Sequence, residues 1–251
     1  AQRRLPRIFL EHDPPREHPT DTRHPVDDPD VLLVHVTAFN ELMWDSGRTP
    51  TRIVEHGVSV PEAARYTGEL ARGIVVVNGL ETRGRRLGRD VFEHVRGELP
   101  LDLVGMGAER CGGIGELGHA ELAGFVARHR FFFNPIRYTS LGLSICEAMS
   151  TGTPVVGLAT TELVSVIENG VSGYVDTRLD VLIARMRELL ADPAEASRLG
   201  AGARRAARER FGMERFVRDW NRAFADVTGI PAPHGTARVM DAATRSVPAH
   251  A

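Results

Sequence analysis

Lysine is missing from the sequence altogether: all 31 basic residues are arginine. This removes Schiff-base and pyridoxal chemistry, and the P-loop lysine, from consideration. Any phosphate that binds must be met by guanidinium forks and backbone N–H groups. Cysteine is scarce. Cys111 and Cys146 lie far apart and match neither a disulfide framework nor a zinc site, so a reducing cytoplasm is the default compartment. No apolar run approaches the ~20 residues of a membrane span, and the opening residues do not read as a charged-then-apolar leader. An integral membrane segment is therefore not expected, while peripheral membrane contact stays open. A net charge of −2 argues against non-specific nucleic-acid binding.

What is present suits a soluble globular protein. Of the 251 residues, 42% are hydrophobic and 25% charged, enough to bury a core. From about Gly73 to Tyr174, short apolar runs alternate with helical patterns. "GIVVVNGL" (73–80), "LDLVGMG" (101–107), "FFFNP" (131–135), "PVVGLA" (154–159) and "GYVD" (173–176) read as strands. Helices are expected over 88–99, 120–130, 141–151 and 161–168. Continuous apolar strands separated by helices indicate an α/β fold with a parallel sheet covered on both faces and right-handed crossovers, a Rossmann-like layer. Helices over 178–191, 194–210 and 213–227 follow, with Pro193 placed to start the second.

Residues 7–57 differ. "RIFLEHD", "VLLVHVT" and "TRIVEHGV" read as strands and 38–46 as a helix, with a polar, proline-rich loop after the first strand. These are too few for an independent doubly wound domain. Residue 1 is Ala, and the segment reads as the last part of a domain whose beginning is missing. Its strands are expected to leave open edges and an apolar face exposed.

"YTSLGLSICEAMSTGTPVVG" (138–157) carries the strongest chemical signal. Gly142 opens a helix where an absent side chain lets a ligand approach the backbone. The unpaired N–H groups of 141–143, with the helix dipole, form an anion site suited to a diphosphate. Glu147, a turn further in on the face of Leu143, can accept two hydrogen bonds from a vicinal diol such as a ribose. For an isolated Glu, a capping or surface role would be the commoner reading; its surroundings reverse that.

"NPIRYTSLGLSICEAMSTGTPVVG" followed by "IENGVSGYVD" resembles the nucleotide-sugar-binding half of the retaining GT-B glycosyltransferases of family 4, with weaker similarity over roughly 8–227. The resemblance implies a GT-B fold: a complete C-terminal Rossmann-like domain and a partial N-terminal one. The expected organisation is 1–58 as the end of the acceptor-side domain, 59–72 as a linker and 73–210 as the nucleotide-sugar-binding domain. A C-terminal helix (211–228) and a disordered tail (229–251) would follow. The implied reaction moves a sugar from a nucleotide diphosphate sugar, UDP- or GDP-type, to a hydroxyl acceptor with retention. The nucleotide sugar is a substrate, so neither cofactor nor metal is implied.

Carried over by position, Glu147 matches the second acid of the family's E-x7-E signature and holds the ribose. Ser140, Leu141, Gly142 and Leu143 match the helix start facing the diphosphate. The first acid falls at Thr139, a departure that affects contact with the donor sugar. The family's Gly-Gly-x-x-Glu turn becomes "TTELVS". Thr161 and Glu162 could contact the sugar there, or Thr160 or Thr161 could cap the following helix. Gly79 with Arg83, Arg85 and Arg86 corresponds to the segment that neutralises the leaving diphosphate, with a solvated basic loop as the bland alternative. Gly105 and Gly107 match the glycine turn beside base and ribose, and Arg137 could reach donor or phosphate or remain at the surface. His12, in "FLEHD", is the candidate for positioning the reacting sugar, whereas His18, His24, His35 and His56 can all be satisfied locally. Asp28-Pro29-Asp30 is read as a chance likeness to a metal motif. Two other functions stay open: a non-catalytic nucleotide-sugar-binding relic, and a Rossmann dehydrogenase. The latter lacks the third glycine of G-x-G-x-x-G in "GMGAER".

Overall fold

The computed structural model describes residues 5–232; most of the expected tail, from 233 on, lies outside them. The chain runs β1 (Arg7–Glu11), β2 (Val31–His35), α1 (Ala38–Met43), β3 (Thr51–Ile53), β4 (Leu70–Val76), α2 (Leu80–Arg83), α3 (Arg89–Glu98), β5 (Leu101–Val104) and α4 (His119–Arg128). It continues through β6 (His129–Asn134), α5 (Leu143–Thr151), β7 (Val155–Leu158), α6 (Leu163–Val166), β8 (Gly173–Asp176), α7 (Leu179–Ala191), α8 (Pro193–Phe211) and α9 (Met213–Thr228). Every expected helix and strand has its counterpart, displaced by a few residues at the ends.

Two parallel sheets result. One has the order β1-β2-β3 and the other β5-β4-β6-β7-β8. In the larger sheet β6 is buried along its whole length. Its "FFF" run works because strand side chains alternate between faces. Phe131 and Phe133 pack with Phe92 and Val95 of α3 and Met186 of α7. Phe132 turns to the other face, among Ile145 and Met149 of α5 and Ala203 of α8. Each such burial removes an aromatic ring from water, worth roughly 1.5–3 kcal/mol. Pro193 occupies the first turn of α8, where its missing N–H costs nothing, and the Asp192 side chain accepts from the Ala194 and Glu195 amides at 2.9 and 3.1 Å.

The smaller sheet departs from expectation. Its apolar face is covered rather than exposed: Phe216, Trp220, Ala223 and Val227 form a stripe at helical spacing on α9 and pack on Leu32, Val34 and Val54. On the other side, His24 from the long loop lies edge-on to Phe9 and Trp44, at 5.3 and 4.9 Å between ring centroids. That loop was legible only as polar and proline-rich, and its covering role comes from tertiary packing. Among the described residues, no helix is long and apolar enough to cross a membrane.

In the larger sheet, β5 lies on one side of β4 and β6 on the other. The chain therefore reverses its direction of winding between β4 and β6. The loops leaving the C-terminal ends of these strands splay apart there, and open α/β sheets bind ligands in that crevice.

Candidate nucleotide-binding cleft

A cleft of about 440 Å³ occupies this crevice, lined by Asn78, Arg83, Gly105, Thr139, Gly142 and Leu143 among others. Five of these six were expected from the sequence; Asn78 was not. Gly105 has φ +138°, and a Cβ there would lie 2.4 Å from the Val77 carbonyl oxygen, so the turn after β5 can pass β4 closely only with glycine. The Asn78 side-chain oxygen accepts from the Met106 amide at 2.9 Å, and the Gly79 amide donates to the Met106 carbonyl at 2.8 Å. These bonds stitch the 78–79 and 105–107 turns into one wall. Gly107 then caps the short turn Ala108–Cys111.

Gly142 behaves differently. Its backbone is extended (φ −68°, ψ 134°), and a Cβ would meet nothing closer than Ser144 Oγ at 3.6 Å. The chain itself does not require glycine here, so the space is left for something outside it. No side chain caps α5, and its first-turn N–H groups face the cleft with the positive end of the helix dipole behind them. Leu141 is buried beneath this turn, while Leu143 is exposed at the cleft rim.

Glu147 is half-buried and makes no hydrogen bond or ion pair among the described residues. Burial pushes its carboxyl above the usual range, and His119 on the far wall pulls it partly back. An unpartnered, partly desolvated carboxylate one turn behind an open helix start is poised to accept hydrogen bonds from a ligand's hydroxyls.

The arginines divide. Arg83 lines the cleft and holds no carboxylate. Arg86 is half-buried nearby, again without an acid partner. Arg85 and Arg137 are committed elsewhere. Arg137 forks onto both Asp90 carboxylate oxygens at 2.6 and 2.8 Å, and Arg85 donates to the same group at 2.6 Å. Asp90, in the first turn of α3, holds both charges and pins the loop before Thr139.

Glu162 is held by partners of its own. Its side chain is only 3% exposed. One oxygen accepts from the Phe39 amide at 2.9 Å, and the other accepts from Arg210 at 2.6 Å and from Ser165 Oγ. Arg210 also pairs with Glu55, just after β3. Glu162 thus ties the start of α1 to α8 instead of facing a sugar. Beside it, Thr161 has φ +52°, the one non-glycine residue with positive φ among the described residues. The turn keeps a glycine-type backbone while carrying a β-branched side chain, a strained combination. Neither Thr160 nor Thr161 caps α6, and Thr160 Oγ1 instead donates to the Ile136 carbonyl at 2.9 Å.

The smaller sheet docks on the loop after β6. The Tyr138 hydroxyl donates to the Pro15 carbonyl at 2.9 Å, and Ser140 Oγ lies 3.4 Å from Thr37 Oγ1. His12 is exposed and stacks on His56, with ring centroids 6.2 Å apart and planes at 16°. Burial, then His12 and Arg215, push the His56 imidazole below its usual range, against a hydrogen bond with the Leu141 backbone. His56 therefore joins His12 to the base of α5, a role no local pattern announced. Arg210 and Tyr138 were missed for the same reason: each has a partner far away in sequence, Glu55 at 155 residues and Pro15 at 123.

Residues 87–192 match the family model described as glycosyl transferases group 1, fewer than half of the chain. Sucrose-phosphate synthase from Thermosynechococcus elongatus is similar in structure, with a TM-score of 0.68 at 20% identity over 81% of this chain and 59% of that one. S. aureus TarM, solved with UDP among its ligands, gives 0.65 at 15% identity over 86% and 50%. Anabaena Alr3699/HepE in complex with UDP gives 0.62 at 14% over 79% and 64%. The fold is that of the GT-B glycosyltransferases. No curated protein matches the chain by sequence. The chain spans about half to two thirds of the length of these GT-B structures. The cleft between β4 and β6 belongs to the part matched by the family model together with the loop that precedes it.

Proposed function

We propose that the chain is the donor-binding part of a retaining glycosyltransferase of family 4, which moves a sugar from a nucleoside diphosphate sugar to a hydroxyl acceptor. One observation carries the reading: the open start of α5 at Gly142 faces Arg83 across the cleft, with the unpartnered Glu147 a turn behind. The diphosphate sits on the α5 amides and Arg83, and the ribose hydroxyls donate to Glu147. The UDP bound in two similar structures, TarM and Alr3699/HepE, supports a nucleotide of this class. Transfer requires stabilising a departing diphosphate while the sugar takes on oxocarbenium character; preorganised amides and guanidinium groups do this by charge complementarity. Thr139 stands where the resemblance expects an acid and offers no carboxylate nucleophile itself, so a donor phosphate oxygen serves as base. His12 borders the reacting sugar, with His56 holding its ring against α5. The two unpaired cysteines fit a cytoplasmic protein.

The test is a reaction of the full-length protein with UDP- and GDP-sugars and hydroxyl acceptors, with the product's anomeric configuration read by NMR. The α-configured donor should give an α-linked product. Inversion would overturn the retaining assignment. Tight nucleotide binding without hydrolysis or transfer would favour the non-catalytic relic, for which Thr139 in place of an acid is the specific observation.

A further inference from the structure

Most of the described arginines are held in place. Carboxylates hold some, as Asp90 holds Arg137, and backbone carbonyls hold others, as with Arg130. Arg204, Arg205 and Arg208 differ: none has a hydrogen-bond or ion-pair partner among the described residues. They fall within one turn of α8 at positions i, i+1 and i+4, with the Cβ atoms of the i, i+4 pair about 5–6 Å apart. Arg205 and Arg208 are exposed, and Arg204 is half-buried with its Nε shut off from water and from any acceptor. The 65–66 segment borders them. A Cβ added to Gly152 would lie 3.4 Å from Tyr66 Cβ and 3.9 Å from Arg204 Cβ, which sets those two residues side by side. Arg65, exposed before Tyr66, reaches Glu62 only at 3.5 Å. Burial lowers the Arg204 pKa, and the charges of Arg65 and Arg208 lower it further, with Glu62 opposing.

The rest of this side of α8 is short. Ala194, Ser197 and Ala201 are exposed on it in the turns before Arg204. Glu209 lies further round the helix and lines a hollow with Val164 and Val171. None of the three arginines lines the nucleotide cleft. A convex helix side carrying free guanidinium groups above short residues suits a plane of anions. Arginine stems can lie along the helix while their heads meet phosphates, and each charge near an anionic bilayer adds to the attraction. A net charge of −2 gives the chain no broad positive field with which to gather nucleic acid.

We propose that Arg204, Arg205 and Arg208, with Arg65 beside them, form a docking face for an anionic lipid surface, separate from the nucleotide cleft. This contact does not rest on the glycosyl-transfer reading.

Co-sedimentation of the whole chain with vesicles tests it. One set is phosphatidylcholine alone, and the other is phosphatidylcholine and phosphatidylglycerol at roughly two to one. The parent chain is compared with two triple variants, Arg204→Ala, Arg205→Ala and Arg208→Ala combined and the three matching Lys substitutions combined, each checked by its melting curve. The parent should bind the anionic vesicles at least about tenfold more tightly than the neutral ones, and lose that preference as salt rises. The alanine variant should lose the preference and the lysine variant should keep most of it. Should the alanine variant melt early, Arg205→Glu, at an exposed position, carries the test and should weaken anionic binding. Equal binding of the parent to both vesicles would overturn the proposal, and so would an unchanged preference in the alanine variant or in Arg205→Glu. Duplex DNA bound through the same arginines more tightly than the anionic vesicles, at equal salt, would overturn it in favour of a nucleic acid.

Discussion

Glu147 is half-buried without a partner among the described residues, and that carries a cost. Burial raises its pKa, so the folded state holds the proton more tightly than the unfolded chain. That advantage is complete below the ordinary carboxylate range and is lost as the pH rises through the folded pKa. Glu147→Gln should therefore raise the melting temperature at pH 7–8, with the difference shrinking towards pH 4. The same substitution should weaken UDP binding by roughly 1.5–3 kcal/mol, as for a hydrogen bond to a charged group. Calorimetry and melting curves on one preparation check both, and an unchanged UDP affinity would leave Glu147 a structural residue. Thr161 presents the opposite case. A non-glycine residue at φ +52° is strained by about 1–2 kcal/mol, offset in part by the greater unfolded-state freedom of glycine. Thr161→Gly should stabilise the chain by up to about 1 kcal/mol, whereas Thr161→Val should give no gain in denaturant titration. Glu147 and Gly142 were legible because their chemistry is local: a missing side chain at a helix start and an acid one turn on. Thr161's strain was not, since the sequence announces only a hydroxyl where the family carries glycine.

At the scale of elements, Glu162 joins α1, α6 and α8 through one buried carboxylate. Its removal leaves the Phe39 amide without its acceptor and Arg210 with Glu55 alone. Glu162→Ala should cost about 3 kcal/mol in urea titration, within the range for breaking a buried pair. A loss below about 0.5 kcal/mol, typical of a surface site, would mean that this tie does not hold the elements together. The elements themselves were readable from periodicity: buried runs for β4, β6 and β7, and the 216–220–223–227 stripe for α9. What that stripe covers was not readable. An apolar helix face specifies that it is buried, and only the assembled chain specifies that it lies on Leu32, Val34 and Val54. Arg85 in its basic loop and Arg137 before Thr139 likewise showed no partner in the sequence, and the first turn of α3 brings Asp90 beneath both.

For the whole molecule, two histidines link stability to pH: His35, buried within the smaller sheet, and His56, half-buried beside the residues that precede α5. Burial lowers the pKa of His35 and of His56, so the folded state takes up their protons less readily than the unfolded chain, which does so below about pH 6.5. Their contribution to stability is fully present above that pH and is lost as the pH falls through their folded pKa values. Melting temperature should therefore drop between pH 7 and pH 5, less steeply in His35→Phe; identical slopes would exclude His35 as a source. The cleft at the winding reversal, lined by Arg83 and Gly142, is proposed above to bind a nucleoside diphosphate. Its most direct test is calorimetry of UDP and of uridine with the parent chain and with Arg83→Ala. UDP should bind more tightly than uridine, and Arg83→Ala should remove most of the difference while leaving uridine affinity unchanged. Equal affinities for UDP and uridine in the parent chain would contradict the proposal.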